Sequence, residues 1–284
     1  MDQRNPETVP SLAGWRFHRR VMTTDFSDIW LAEDLSLGRP VAFKIFAPNS
    51  DENGMIAPFH VDEWRRRFIQ EARVMARLDH PNIIPVVALC RLDDGRPSLV
   101  MQYMSGSLRR EVGIDVFEPK EVDALAETER PRAVSPARAR QILMETLSAL
   151  VVIHGAGVVH RDLKPRNLLL SNGPGSRIKV TDFGMAKMAN EPKSNEAVWF
   201  GTRDYISPEQ YANASHATDR SDIFSVGVIG IRLLTGQFPD RSRLSAVEGV
   251  PSAFADILVQ ALSLQPENRP SAGEMLQRLA VIVV

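Results

Sequence analysis

The first third of the chain breaks into short runs in which apolar and polar positions alternate. Residues 15–22 read as a strand, 23–27 as a turn and 28–33 as a second strand. After a turn at 37–40, the run V-A-F-K-I-F at 41–46 alternates with a period of two. That period puts Ala42 and Lys44 on one face and Val41, Phe43 and Ile45 on the other. The pattern then switches. Trp64, Phe68, Ala72, Met75 and Leu78 recur at helical spacing, which predicts a helix over 62–78 with one buried stripe. Glu71 lies on that stripe. A carboxylate on an apolar face is costly unless it is paired. Lys44 is the natural candidate for its cation.

Beyond this helix, 80–85 ends it and leads into a strand, D-D-G at 93–95 is a hairpin turn, and 98–103 is the next strand. Residues 106–135 are charged and punctuated by proline, which predicts a short helix and a solvated insertion. Ser135 and Pro136 open a long helix to His154, with Ile142, Leu143, Thr146, Leu147, Leu150 and Val151 as its inner stripe. Residues 222–234 form an apolar helix buried nearly all round, with Asp222 placed to cap its start. S-A-G-E at 271–274 is a capping box for a last helix. The chain thus reads as a sheet with one helix followed by a mostly helical half, an α+β class.

Composition changes this picture little. The 284 residues carry 44% hydrophobic and 24% charged side chains, enough for a sizeable core. The formal net charge of −1 gives no electrostatic case for a nucleic-acid partner or an anionic membrane surface. No apolar run approaches the length of a membrane span, and the apolar end at 280–284 is far too short. Cys90 is the single cysteine, so a disulfide framework and a thiolate metal cluster are excluded. A reducing compartment, the cytoplasm, fits, whether for this chain or for it as the cytosolic domain of a longer membrane protein. The polar, proline-containing residues 1–14 read as a mobile arm.

The candidate chemistry sits in two nearby stretches. H-R-D-L-K-P-R-N occupies 160–167, an apolar run follows at 168–170, and T-D-F-G occupies 181–184. Asp162 can accept a proton and Lys164 can neutralise charge. Asn167 and Asp182 offer hard oxygen ligands of the kind Mg²⁺ takes when it is shared with phosphates. A loose, charge-rich phosphoryl transition state needs this inventory and little covalent help.

Eight contiguous positions followed at short range by D-F-G are specific, and they resemble the catalytic and metal-binding loops of eukaryotic-type (Hanks-type) serine/threonine protein kinases. The resemblance covers about residues 15–280 and its compact, single-cysteine form is similar to the bacterial members. It implies a two-lobed kinase fold: an arm over 1–14, a small antiparallel-sheet lobe with hinge over 15–104, and a mostly helical lobe over 105–284, with ATP bound between the lobes. It implies transfer of the γ-phosphoryl of MgATP, with Mn²⁺ as a substitute metal, to a serine or threonine of a protein substrate. Asp162 would take the hydroxyl proton and Lys164 would steady the γ-phosphate. Asn167 and Asp182 would hold the metal, and Lys44, fixed by Glu71, would grip the α/β-phosphates. Ile29 and Leu169 would sandwich the adenine beside Ala42. Met101 would be the gatekeeper, with the backbone of Gln102, Tyr103 and Met104 at the adenine edge. Asp222 would hold the backbone of the catalytic loop, and Arg269 would pair with Glu209 of S-P-E. Arg161 makes this resemble the R-D type, with Ser194 a phosphorylation switch and Thr202 near the catalytic aspartate.

Two departures stand out. The three glycine positions of the family's phosphate loop, G-x-G-x-x-G-x-V, fall on Met22, Thr24 and Ser27. Side chains there keep a backbone from close approach to phosphate. This points to an alternative from another class, a pseudokinase that serves as a nucleotide-binding or regulatory module. Residues 236–251 are also short for the family, which implies a reduced substrate-docking helix.

Overall fold

The computed structural model describes residues 9–24, 26–49, 55–56, 59–171, 176–184, 186–188, 203–237, 242, 244 and 247–284. The chain divides into two compact units, residues 1–79 with 84–104, and residues 80–83 with 105–284. Among the described residues no helix is long and apolar enough to cross a membrane.

The first unit holds a five-stranded antiparallel sheet in the order β1-β2-β3-β7-β6: β1 (Trp15–Thr23), β2 (Ser27–Asp34), β3 (Arg39–Phe46), β6 (Val86–Arg91) and β7 (Pro97–Gln102). A short pair, β4 (Met55–Ile56) and β5 (Phe59–His60), precedes helix α1 (Val61–Met75). The alternation in β3 works as its sequence implies. Val41, Phe43 and Ile45 join Trp30, Ala32, Leu92 and Val100 in one core, where Trp15 and Phe17 lie against Phe43 at ring-centroid distances of 5.1 and 4.7 Å. The opposite face is set by register: Lys44 lies between Ile29 on β2 and Leu99 on β7, and Ala42 between Leu31 and Met101. Helix α1 packs on β6 and β7 with Trp64, Phe68, Glu71, Ala72 and Met75 buried. It ends three residues earlier than its periodicity suggests. The amides of Arg77 and Leu78 turn back to Val74 and Met75, and Leu78 remains buried in this tight turn.

Of the arm expected over 1–14, residues 1–8 lie outside the described ones. Residues 11–14 are tied to the sheet: the Asp93 amide donates to the Ser11 carbonyl and the Leu35 amide to that of Gly14. The units meet in sequence between 104 and 105, and 80–83 belong with the second unit. Asn82 explains this: its side chain donates to the Ile178 carbonyl at 2.8 Å, and its own carbonyl accepts from the Val180 amide at 2.8 Å.

The second unit is helical around small sheets. Strands β8 (Gly106–Ser107), β10 (Leu168–Leu170) and β11 (Ile178–Val180) form one, and β9 (Val158–Val159) pairs with β12 (Lys187–Met188). Its helices are α2 (Arg109–Val112), α3 (Pro119–Asp123), α4 (Pro136–Gly155), α5 (Pro208–Ala212), α6 (Asp219–Thr235), α7 (Ser252–Ala261) and α8 (Ala272–Ala280). Helix α4 packs on α6 and α8. Its N-cap is Ser135, as expected, but Val151 is 42% exposed. The buried stripe continues through Ala149, Leu150 and Ile153, so it leans to the other flank of the helix and leaves Val151 outside. Helix α6 is buried nearly all round, yet it starts three residues before Asp222. Thr218 and Ser221 cap it reciprocally, which frees Asp222 from capping. The capping box of Ser271 and Glu274 on α8 forms as read.

The insertion is mostly exposed from 118 to 130 but is bolted down at its base. Arg232 of α6, fully buried, donates to Asp115 Oδ1 at 3.0 Å and to the Val112 carbonyl at 2.7 Å, and lies over the Phe117 ring. Ser194 and Thr202, and part of 236–251, lie outside the described residues.

Candidate active site

Glu71 and Lys44 meet. Lys44 Nζ donates to both carboxylate oxygens of Glu71, at 2.7 and 2.9 Å, and the Glu71 side chain is 3% exposed. The helical stripe carries the acid to the sheet face on which period two places the lysine. Ile29 and Ala42 occupy that same face. Gln102 ends β7, and its amide donates to the Pro85 carbonyl at 3.3 Å. Met104 follows at the end of the first unit.

In the second unit the loop from 160 to 167 bridges β9 and β10. Lys164 Nζ donates to Asp162 Oδ1 at 2.8 Å, and Asn167 Nδ2 donates to Asp162 Oδ2 at 2.9 Å and to its carbonyl at 2.8 Å. Burial pushes the Asp162 carboxyl above the ordinary aspartate range. The Lys164 ammonium opposes this and the nearby Asp182 carboxylate adds to it. Because Asn167 turns its NH₂ toward Asp162, its amide oxygen is the end left for a cation. The Thr181 amide donates to the Asn167 carbonyl at 3.1 Å, which draws Asp182 to the same place. Asp182 and Arg161 are the described non-glycine residues with positive φ, at 67° and 68°. Such backbone persists only where its surroundings hold it.

Asp222 is one holder. Its carboxylate accepts from the amides of His160 at 2.9 Å and Arg161 at 2.8 Å, and it meets His154 Nε2 at 2.8 Å. Full burial pushes this carboxyl up, but the bond from His154 and the nearby histidines and amides outweigh it and leave the group below its ordinary value. Gln210 is another: its side chain donates to the Arg161 carbonyl at 2.8 Å. His160 spans the two loops. Its Nε2 donates to the Thr181 carbonyl at 3.0 Å, which leaves Nδ1 to accept from the Asp162 amide at 3.3 Å. Glu209 and Arg269 form a two-bond pair at 2.7 and 2.8 Å. Leu169 points away from the side of β10 that buries Leu168 and Leu170.

Sequence reasoning did not find His154, Gln210 or the bridging role of His160. The one signal was polarity out of place, a histidine closing an apolar helix and a glutamine beside S-P-E.

At the tip of the first hairpin, Thr24 and Ser27 occupy two of the glycine positions. Thr24 Oγ1 accepts from the amides of Phe26 and Ser27 at 3.3 and 3.0 Å.

The sequence model of one family, the protein kinase domain, matches residues 23–279. Serine/threonine-protein kinase PrkC of Bacillus subtilis is 34% identical over 88% of this chain and 37% of its own. Serine/threonine-protein kinase PknA of Mycobacterium tuberculosis (strain ATCC 25618 / H37Rv) is 32% identical over 96% of this chain and 58% of its own. Serine/threonine-protein kinase pkn3 of Myxococcus xanthus is 31% identical over 87% of this chain and 45% of its own. The chain therefore spans 58% or less of the length of each of these relatives.

Proposed function

The chain belongs to the protein kinase domain family, in its bacterial Hanks-type form, and from that premise we propose that it transfers the γ-phosphoryl group of MgATP to a serine or threonine hydroxyl of a protein substrate. The observation that carries this reading is the arrangement around Asp162: a carboxylate gripped by Lys164 on one oxygen and Asn167 on the other, with Asp182 nearby. Asp162 orients the acceptor hydroxyl and takes its proton as the oxygen–phosphorus bond forms. The bond from the γ-phosphorus to the bridging oxygen breaks, and ADP leaves. Lys164 neutralises charge on the transferred group. Lys44, held by both oxygens of Glu71, contacts the α/β-phosphates. The oxygen donors of Asn167 and Asp182 suit Mg²⁺, or Mn²⁺ in its place, and such an ion would neutralise phosphate charge. Ile29, Ala42 and Leu169 offer apolar surface to the adenine, and the backbone at Gln102 and Met104 offers it polar contacts.

A second reading, a pseudokinase that binds nucleotide or a partner without useful turnover, is favoured by the engaged amides of Phe26 and Ser27. One experiment separates the two: transfer of labelled phosphate from MgATP to the protein itself and to a basic protein acceptor, with Asp162→Asn and Lys44→Met alongside. An enzyme gives transfer that both substitutions abolish. No transfer above the Asp162→Asn control, from folded protein that binds nucleotide, supports the pseudokinase.

A further inference from the structure

A phosphate loop works by presenting unpartnered backbone N–H groups to an anion. In the hairpin between β1 and β2 the amides of Thr24, Phe26 and Ser27 are turned inward. Thr24 Oγ1 accepts from the amides of Phe26 and Ser27, and its hydroxyl lies 3.0 Å from the Ser27 carbonyl. The Thr24 amide closes on that same carbonyl at 2.8 Å, and the Ser27 hydroxyl is 3.1 Å from that of Thr24. The Phe26 carbonyl accepts from the Ala47 amide at 3.0 Å. Thr23 donates to the buried Asp28 carboxylate at 2.8 Å.

The tip is also tied to α1. The Phe26 ring lies 4.2 Å from that of Trp64, tilted by 34°. Trp64 is buried seven residues before Glu71 on the same helical stripe. The hairpin tip, the helix and the Lys44–Glu71 pair are thus one connected assembly within the first unit.

The geometry points to a changed role for this hairpin: a latch that fastens α1 and so positions Glu71 and Lys44, with Thr24 withholding the loop amides from the nucleotide phosphates. Phe26 is a positioning residue and Thr24 is a restraint on affinity. This rests on the nucleotide-binding reading above. The glycine that the family has at position 24 lacks the hydroxyl that engages the two amides.

The test is calorimetric binding of MgATP and of its non-hydrolysable β,γ-imido analogue to wild type, Thr24→Gly, Thr24→Ser and Phe26→Leu, with amide hydrogen exchange on the same proteins. Thr24→Gly binds about tenfold tighter, the gain of roughly one charge-assisted bond to phosphate, and its amides at 26 and 27 exchange faster without nucleotide. Thr24→Ser keeps the hydroxyl and stays at wild type in both measurements. Phe26→Leu leaves the protein folded and speeds exchange in α1. If wild type binds and Thr24→Gly binds no tighter, the restraint by Thr24 is overturned and the nucleotide-binding reading stands, and if Phe26→Leu leaves exchange in α1 at wild type, the latch is overturned. If no variant binds, the restraint and the nucleotide-binding reading are both overturned. Equal exchange at 26 and 27 in wild type and Thr24→Gly also overturns the restraint by Thr24.

Discussion

The fully buried Asp222 and the partly buried Asp162, with 12% of its side chain exposed, serve one loop system, and their surroundings drive them in opposite directions. Desolvation acts on both. Asp222 also accepts three hydrogen bonds, whereas Asp162 has a second carboxylate near it. A carboxyl titration of Asp162 by carbon-13 NMR should therefore show a midpoint above the ordinary value of about 3.9. A base must be ionised to act, so in an active enzyme the acid limb of kcat/KM follows that raised midpoint and activity grows as pH rises through it. A midpoint at or below the ordinary value removes the desolvated base from the mechanism. For Asp222 the test is stability. Asp222→Ala leaves two backbone amides and His154 without their acceptor in the interior, at about 1–3 kcal/mol for each stranded group. A loss of at least about 3 kcal/mol in denaturant unfolding is expected. Both aspartates are readable as important from the motifs they sit in. Their opposite electrostatics are not, because desolvation and partner number belong to the folded surroundings.

Helix α6 carries Gly227 and Gly230 where side chains of α7 and α4 press against it. A Cβ at Gly230 would lie 2.4 Å from Leu258 Cδ2 and 3.3 Å from Leu143 Cδ1, and both leucines are fully buried. Gly230→Ala should gain about 1 kcal/mol of helix propensity yet lose more to overpacking, so a net destabilisation of about 1–2 kcal/mol in thermal unfolding is expected. Helix α4 offers a sharper contrast. Leu150→Ala should cost about 2–5 kcal/mol, while Val151→Gln should stay within about 0.5 kcal/mol. Equal costs at both positions would restore Val151 to the inner stripe. Periodicity locates such a stripe to within one residue of its edge. Which flank is covered depends on the packing partners, α6 and α8, which lie far away in sequence.

At the scale of the molecule, each unit closes around charges it has buried and paired. In the first this is Lys44 with Glu71. In the second, Arg269 with Glu209 and Arg232 with Asp115 join segments 60 and 117 residues apart. Burial pushes the Glu209 carboxyl up, but bonds from Arg269 and Ser221 bring it down to about 2. Its folded value lies below the unfolded one. The stability it contributes is therefore complete above the unfolded carboxylate value of about 4.3 and is lost as pH falls toward 2. Asp222, also lowered, adds to the same loss. Thermal unfolding followed by circular dichroism should show a midpoint that drops over this window, and Glu209→Gln should flatten the drop. An unchanged slope in Glu209→Gln would remove the pair as its cause.

The sequence alone determined the features written in contiguous residues: the alternation of β3, the stripe of α1, the caps of α4 and α8, and the catalytic and D-F-G stretches that mark the family. It also determined one long-range contact, Lys44 with Glu71, because an acid on an apolar stripe demands a cation and one strand lysine was in reach. Tertiary structure alone decided the rest. That Arg232 is an interior clamp, that Thr218 relieves Asp222 of capping, that His154 and Gln210 steady a strained loop, and that Thr24 engages the hairpin amides all depend on which groups meet across large separations or in one turn's exact shape of hydrogen bonds. Local pattern states that a polar group will need a partner once buried. Only the fold, by bringing distant backbone and side chains to hydrogen-bonding distance, decides which partner it finds.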